Sequence, residues 1–339
     1  MTAVQTDLKH RKRIRCVCSY VIMAIVLLGL LYWAINTGSI KVSPKTLFRG
    51  LFIQYNAEVS TIFDLRFPRI VISILAGAAV AVSGVLFQSV LKNPLADPGI
   101  IGISSGASFV SVIIIAVAPS LYFFTPIFAC LGGMMAFFVV YTLSWKGGLH
   151  PLRIILVGVA VNAMFTGCLS GFNSFTGGNF SSVASIVNGN ITMKTWSDVQ
   201  TLVPYVLIGL LLSCGLCNLC NLLSLEDKTA RGLGVNVNQA RIVISLVACL
   251  LASISTAVAG TISFLGLIVP HIGRILVGSN HRILIPFSML LGACTFLAAD
   301  TIGRTIAAPY EISASIIMSI IGGPFFIVLL KGAKKYGKQ

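Results

Sequence analysis

Acidic residues are scarce in this sequence. Its 339 residues include nine Asp and Glu against 24 Lys and Arg, and charged residues of both signs make up 10% of the chain, where an ordinary soluble domain has about 25%. So little charge cannot solvate a chain that is 56% hydrophobic, which excludes both a water-soluble globule and a disordered segment. No Gly-x-x-x-x-Gly-Lys-Ser/Thr motif is present, so the chain has no P-loop with which to bind ATP. No His-Glu-x-x-His site is present either, and the apolar runs hold no group of His, Asp and Glu from which a hydrolytic centre could be built. The nine cysteines follow no disulfide pattern. Cys214, Cys217 and Cys220 have a metal-like spacing, but they lie in one apolar run without a neighbouring His or carboxylate and read as small packing residues. Neither a metal nor a cofactor is expected.

What the chain has in abundance is apolar sequence in lengths that suit the hydrocarbon core of a bilayer, about 30 Å thick. The runs are Cys16 to Ile35, Ile70 to Leu91, Ile101 to Ala118, Phe123 to Trp145, Leu152 to Phe172, Thr201 to Leu223, Ile242 to Ala259, Thr261 to Pro270, Ile283 to Ala299 and Ile312 to Leu330. The expected fold is therefore all-α, a polytopic membrane protein of about ten transmembrane helices, because only helices satisfy every backbone group within a single span. The eighth run is too short to cross alone and belongs among its neighbours, unless its boundaries are wrong. The first is no cleaved signal, since no small-x-small site follows it. The whole chain, 1–339, reads as one transmembrane domain. Its halves are 16–172 and 200–330, flanked by basic tails at 1–15 and 331–339.

An even number of spans puts both termini on one side. With the N-terminus inside, only Lys41, Lys45, Arg49, Arg66, Arg69, Lys194 and Arg304 of the 24 basic residues lie outside. The positive-inside rule thus favours an N-in, C-in chain. With the acids included, the net charge of +15 divides into +13 inside and +2 outside, so the excess records orientation and calls for no nucleic acid.

The pentapeptide Arg-Ile-Val-Ile-Ser occurs at Arg69–Ser73 and again at Arg241–Ser245, opening the second and seventh runs, and Pro98 falls on Pro270 at the same offset. Five spans per half is an odd number, which inverts the second half relative to the first. Inverted five-helix repeats are a common build for transporters.

Five polar segments interrupt the apolar background. Arg66-Phe-Pro-Arg69 places two arginines against the positive-inside trend, to meet carboxylates of an acidic partner or to snorkel to lipid phosphate. Lys92-Asn-Pro-Leu-Ala-Asp-Pro-Gly99, followed by Ile-Gly-Ile-Ser-Ser-Gly-Ala-Ser108, reads as a tight turn in which Asn93 and Asp97 can cap the next helix. Leu225-Glu-Asp-Lys-Thr-Ala-Arg-Gly-Leu-Gly234 is a polar, helix-compatible connection, either a solvated linker or a surface on which a cytoplasmic partner pushes. The fourth is Gly260-Thr-Ile-Ser-Phe-Leu-Gly-Leu-Ile-Val-Pro-His-Ile-Gly-Arg274. The fifth is Ala299-Asp-Thr-Ile-Gly-Arg304 with Ala308-Pro-Tyr-Glu311 and Ile321-Gly-Gly-Pro-Phe-Phe326.

In this order the five segments resemble the FecCD-type permease subunits of ABC importers for iron–siderophore complexes, haem and vitamin B12, over about residues 60–332. The resemblance implies that Arg66, Arg69 and Arg304 meet acidic residues of an extracytoplasmic substrate-binding protein. It implies that residues 226–234, with Glu226, Asp227, Ala230, Leu233 and Gly234, form a coupling helix in a groove of the ATPase. It also implies that Asn93, Pro94 and Leu95 close the inner end of the pathway, with His271 and Arg274 beside it and no catalytic role. The implied partners are a second permease subunit (this chain again or a paralogue), two ATPase subunits, the binding protein and membrane lipid, in the cell membrane of a bacterial-type cell. Asn162, Met164, Phe165 and Asn173 are candidates to line the pathway.

Three departures from the family pattern stand out: Glu226 before Asp227, Glu311-Ile-Ser-Ala-Ser315 without its Pro and Gly, and Ile186 in place of Trp ahead of Asn188-Gly189-Asn190. The expected cargo is an iron–siderophore, with haem or cobalamin as alternatives. An ion-coupled secondary transporter is the competing class, but it lacks the ionisable residue within the spans that coupling needs, since only Asp300 and Glu311 come close.

Overall fold

The structure, a computed structural model, describes residues 3–38, 40–54, 56–144, 151–176, 189–307 and 310–336. Among these residues it is all-helical. In chain order the helices are α1 (Ala3–Asn36), α2 (Pro44–Phe52), α3 (Ala57–Leu65), α4 (Phe67–Val90), α5 (Ile103–Val117), a 3-10 turn (Pro119–Phe124), α6 (Thr125–Ser144) and α7 (Pro151–Phe175). Then follow α8 (Trp196–Gly215), α9 (Cys217–Leu223), α10 (Asp227–Gly232), α11 (Val237–Ala259), α12 (Leu265–Val277), α13 (His281–Ile306) and α14 (Ala314–Tyr336). Seven helices are long and apolar enough to cross a membrane, and α5, α12 and the 314–329 part of α14 are shorter apolar helices.

The axis of the bundle is α4. From Ala76 to Leu91 every residue is buried, as expected of a helix that is apolar on all sides. Its composition of Ala, Gly, Val and Ser lets three neighbours approach at backbone distance. A Cβ on Gly77 would sit 2.5 Å from the Gly292 carbonyl oxygen of α13, and one on Gly84 would sit 2.0 Å from that of Gly266 in α12. Against α11 the contact is a hydrogen bond, Ser83 Oγ donating to the Ala248 carbonyl at 2.7 Å. The two copies of the repeated pentapeptide open α4 and α11, which run antiparallel, so Arg69 and Arg241 sit at opposite ends of the bundle. An inverted repeat requires that geometry of the pair.

Helix α1 covers one flank of α13 and α12. Tyr20 donates to the Ile283 carbonyl at 2.8 Å and packs edge-on to Phe287, while Arg15 donates to the Ile275 carbonyl at 2.6 Å. The opposite side of α1 exposes Val21, Ile22, Ile25 and Leu28, an apolar surface of the kind lipid covers.

Residues 44–65, between the first two apolar runs, hold two short helices. Ser43 accepts from the Thr46 N–H to cap α2, and Asn56 accepts from Glu58 and Val59 to cap α3. Several expectations need correction. The run from Thr201 to Leu223 is broken at Leu216. Cys214 therefore ends α8 while Cys217 and Cys220 lie on α9, rather than along one helix. The eighth apolar run was misplaced: residues 260–264 are not helical, and the helix they precede starts at Leu265 and runs on to Val277. Pro98 and Pro270 are not equivalent either, since Pro98 lies in a turn and Pro270 inside α12.

Gly84→Ala is expected to disrupt folding, because the methyl group has no room at a backbone-to-backbone crossing. Gly167→Ala on α7, where a Cβ meets nothing within 4 Å, is expected to leave the melting temperature in detergent unchanged. Thermal denaturation of the two purified variants checks both.

Candidate functional site

Two polar clusters mark the ends of the bundle. At one end Arg69 on α4 is buried, 4% exposed, facing Asp300 on α13, which is fully buried. The guanidinium grips this carboxylate through Nη2 to Oδ1 at 2.8 Å and Nε to Oδ1 and Oδ2, both at 3.0 Å. Its Nη1 reaches Glu311 Oε2 at 2.8 Å, and Thr192 Oγ1 donates to that same oxygen at 2.7 Å. Burial raises the Glu311 carboxyl, but the bonds from Arg69 and Thr192 outweigh it and hold the group below the usual range. Arg304 lies one turn from Asp300, with Nε 3.6 Å from Oδ2, and donates from Nη2 to the Ala34 carbonyl at 3.3 Å. Arg66 donates from Nη1 to the Ile35 and Ile40 carbonyls at 2.5 and 2.7 Å.

The arginines that stood out in the sequence are therefore all engaged within the chain. Arg66 and Arg304 cap the C-terminal carbonyls of α1, where the helix dipole favours a cation. Arg69 neutralises a buried acid and ties α4, α13 and the segments around Thr192 and Glu311 together. Of the departures noted above, Ser315 Oγ donates to the Thr261 carbonyl and its side chain packs against Gly189. Ile186 and Asn188 lie outside the described residues.

At the other end a turn joins α4 to α5. Lys92 takes a left-handed conformation, φ 47°, and reverses the chain. Its Nζ donates to Asp227 Oδ1 at 2.8 Å and to the Leu225 carbonyl at 2.5 Å. Asp227 also accepts from Arg241 Nη2 on α11, at 3.0 and 3.1 Å. The Lys92 hydrogen bond first, then Arg241, hold the Asp227 carboxyl below its ordinary range against partial burial. Helix α10 therefore sits on a charged bracket, with Ala230 buried against the bundle and Glu226, Leu233 and Gly234 exposed. Leu233 is 61% exposed, and Gly234 takes φ +82°, ending α10 in a left-handed turn.

Within the same turn Asn93 is buried and accepts from the Leu95 N–H at 3.0 Å, while Pro94 is exposed and Leu95 half-buried. Asp97 is fully buried. Its Oδ1 accepts from Gly99 at 2.8 Å and Ile100 at 3.3 Å, and Oδ2 faces the N–H groups of Gly266 and Leu267 at the edge of hydrogen-bond geometry. Burial pushes this carboxyl up to about 6, with the surrounding N–H groups pulling it back. Asp97 does not cap the following helix, as its position in sequence suggested; α5 begins after Gly102 without a side-chain cap. Sequence reasoning also missed Gln88, a lone amide in α4. It donates to Gly266 and Ala96 carbonyls at 3.1 and 3.3 Å and accepts from Arg274, which binds α12 to the turn. His271 stacks edge-on with Phe325, with ring centroids 5.7 Å apart.

Between the ends, α7 leaves one face uncovered. Met164, Thr166, Gly167, Ser170, Gly171 and Ser174 are exposed. Of the proposed lining residues, Phe165 is a core residue packed on Phe109, on the covered side of the helix, and Asn162 and Asn173 are half-buried.

The described residues form an all-helical bundle of membrane-length apolar helices, charged at its two ends. The FecCD transport family matches residues 25–332, and the chain belongs to that family. It is 40% identical over 323 residues to a Staphylococcus aureus protein (strain bovine RF122 / ET3-1) named "Probable heme-iron transport system permease protein IsdF", covering 95% of this chain and 97% of the relative. The same figures hold for the protein of strain Newman. Among solved structures, it resembles a transporter assigned to the metal-chelate ABC type in an inward-facing conformation, with TM-score 0.75 and 27% identity, covering 93% of this chain and 99% of that one. Its fold also resembles PsaBC from Streptococcus pneumoniae in complex with Fab, with TM-score 0.59 at 17% identity, over 84% and 95% of the two chains. The chain is thus an integral cell-membrane permease of the FecCD transport family.

Because Asp300 has its charge balanced chiefly by Arg69, Arg69→Ala is expected to cost about 3–5 kcal/mol of stability by leaving a buried acid unpaired. The double change Arg69→Met with Asp300→Leu is expected to recover most of that loss. Chemical denaturation in detergent measures both, and a residue used only for docking would leave the midpoint unmoved.

Proposed function

We propose that this chain is the membrane permease of an ATP-driven importer whose cargo is haem. The observation that carries the cargo is its 40% identity, across almost the whole of both chains, to a protein named for haem-iron transport. The siderophore favoured by the sequence alone has no comparable support. Reconstitution of the chain with its binding protein and ATPase in liposomes tests this. ATP-dependent accumulation of haem is expected, exceeding that of ferric hydroxamates and cobalamin by more than about tenfold, the discrimination that roughly 1.4 kcal/mol gives. Preferential uptake of a ferric siderophore would overturn the assignment.

In this reading the Lys92 end faces the cytoplasm, in keeping with the positive-inside distribution, and the Arg69 end faces outward. ATP is hydrolysed on two separate ATPase subunits, and α10 is the coupling helix: Ala230 anchors it while Leu233 and Glu226 face the ATPase. The exposed surface of α7 carries Thr166, Gly167, Ser170, Gly171 and Ser174 beside Leu156, Val159, Met164 and Phe175, and in this reading its neighbours are the pathway and a second permease subunit. The binding protein docks at the outward end. With Arg69 and Arg304 buried behind Glu311, Arg66 is the member of the trio with most freedom to meet an acidic residue.

The two partner faces separate under mutation. Leu233→Asp is expected to weaken copurification of the ATPase and leave binding-protein docking unchanged. Arg66→Glu is expected to do the reverse, with a loss that grows as salt is lowered, because a like-charge contact is screened less. Pull-down at two salt concentrations checks both variants.

A further inference from the structure

The turn from Lys92 to Gly102 is held at both of its ends by charge, and the two attachments go to different moving parts. On one side the Lys92 ammonium is fixed by Asp227 and the Leu225 carbonyl, at the start of α10. On the other, the Asp97 carboxylate is turned inward onto the first turn of α12. This second attachment is unusual on two counts. Asp97 and Asp300 are the two fully buried acids among the described residues, and Asp300 has Arg69 and Arg304 beside it. Asp97 has no basic partner among the described residues; its Oδ1 accepts from the Gly99 and Ile100 N–H groups, and its Oδ2 is buried with no hydrogen-bond partner.

A buried carboxylate without a cation is costly unless something replaces the missing charge. Here the replacement is the N-terminus of α12, which carries positive partial charge. Its preceding residue, Phe264, is in the left-handed region at φ 63° and gives no side-chain cap; its carbonyl accepts from the Leu267 and Ile268 N–H groups. Close packing leaves the joint no slack, since a Cβ on Gly266 would lie 2.9 Å from Asp97 Oδ2, 3.0 Å from Pro98 and 3.2 Å from the Val80 carbonyl. Gln88 adds a second tie between turn and helix.

We propose that Lys92 and Asp97 are positioning residues that make this turn a transmission, carrying a displacement of α10 to the start of α12 and moving the closure formed by Asn93, Pro94 and Leu95 between them. The chain of contacts is short: α10 to Asp227, Asp227 to Lys92, the turn through Asn93 to Asp97, and Asp97 Oδ2 packed against Gly266. Arg241 also holds Asp227, so a displacement of α10 moves Asp227 and Lys92 together relative to α11. The inference rests on the permease reading.

The test uses the full chain assembled with its ATPase in inside-out vesicles, with Leu95→Cys as reporter and a membrane-impermeant maleimide as probe. Labelling is corrected for the native cysteines by the parent chain. Adding ATP with vanadate is expected to change the labelling rate at position 95 by at least about threefold, the size of a typical coupling effect. Lys92→Ala and Asp97→Asn are each expected to abolish that change while ATP hydrolysis stays within about twofold of the parent. Lys92→Arg, which keeps the ion pair, restores it. A purely structural role would lower assembly, hydrolysis and labelling response together, and that outcome overturns the inference, as does a response that survives both variants. If Asp97→Asn fails to assemble, the Lys92 pair of variants decides alone. Absence of haem uptake with an intact nucleotide response sinks the cargo assignment and leaves the transmission standing; haem uptake with an unaltered response in both variants does the opposite.

Discussion

In hydrocarbon there is no water to complete a polar group's bonding, so each charge placed within the bundle must be met by the protein itself. That constraint organises this molecule more than any single hydrophobic contact. It explains why Arg69 makes four hydrogen bonds to two acids, and why Asp300 can be fully buried. It explains equally why Asp97, without a cation, is found against the buried N-terminus of α12. The few charges of the chain are structural joints, and their placement determines which helices can move independently of which.

Around those joints the packing is dominated by backbone. From Ala76 to Gly84 helix α4 has no side chain larger than Val, and its three principal neighbours meet it at Gly77, Ser83 and Gly84. Such contacts are shape-specific and intolerant of added volume, so α4 with parts of α11, α12 and α13 forms a stiff centre. Stiffness there has a functional consequence. Motion originating at α10 cannot be absorbed by soft side-chain repacking along α4, and is left to act on the turn that follows it.

The apolar runs that became long helices were legible because their length and composition leave a membrane helix as the one stable choice. What failed were the boundaries set by residues that read as apolar but do not propagate a helix. Thr261, Ile262 and Ser263 look like the start of a span, yet the helix begins only after Phe264 turns the chain. Likewise the break at Leu216 follows a Gly in an unremarkable leucine-rich run. At the sites, the sequence marked Arg66, Arg69 and Arg304 as anomalous by their side of the membrane, a local signal. Their partners were not legible, because Asp300 and Glu311 are brought to Arg69 by the folding of helices distant in sequence. Asp97 misled for the same reason: local capping rules assign it to the next helix, and tertiary structure gives it to a different one.

The two charged ends differ in a way that bears on their work. At the Arg69 end Asp300 is fully buried and Arg69 nearly so, while Glu311 is 36% exposed; the arginines have several partners each, and the network joins α4, α13 and two connecting segments into one unit. At the Lys92 end the ion pair is half-exposed, with Lys92 and Asp227 side chains 34% and 38% accessible. An exposed pair contributes little to stability, about 0–1 kcal/mol. Its value is therefore not in holding the fold together. A weak contact between α10 and the turn that follows α4 can break and re-form at little energetic cost, which the Arg69–Asp300 pair at the opposite end cannot do. In the orientation proposed above, the fixed end faces outward and the yielding one faces the cytoplasm, an asymmetry that suits a permease driven from that side.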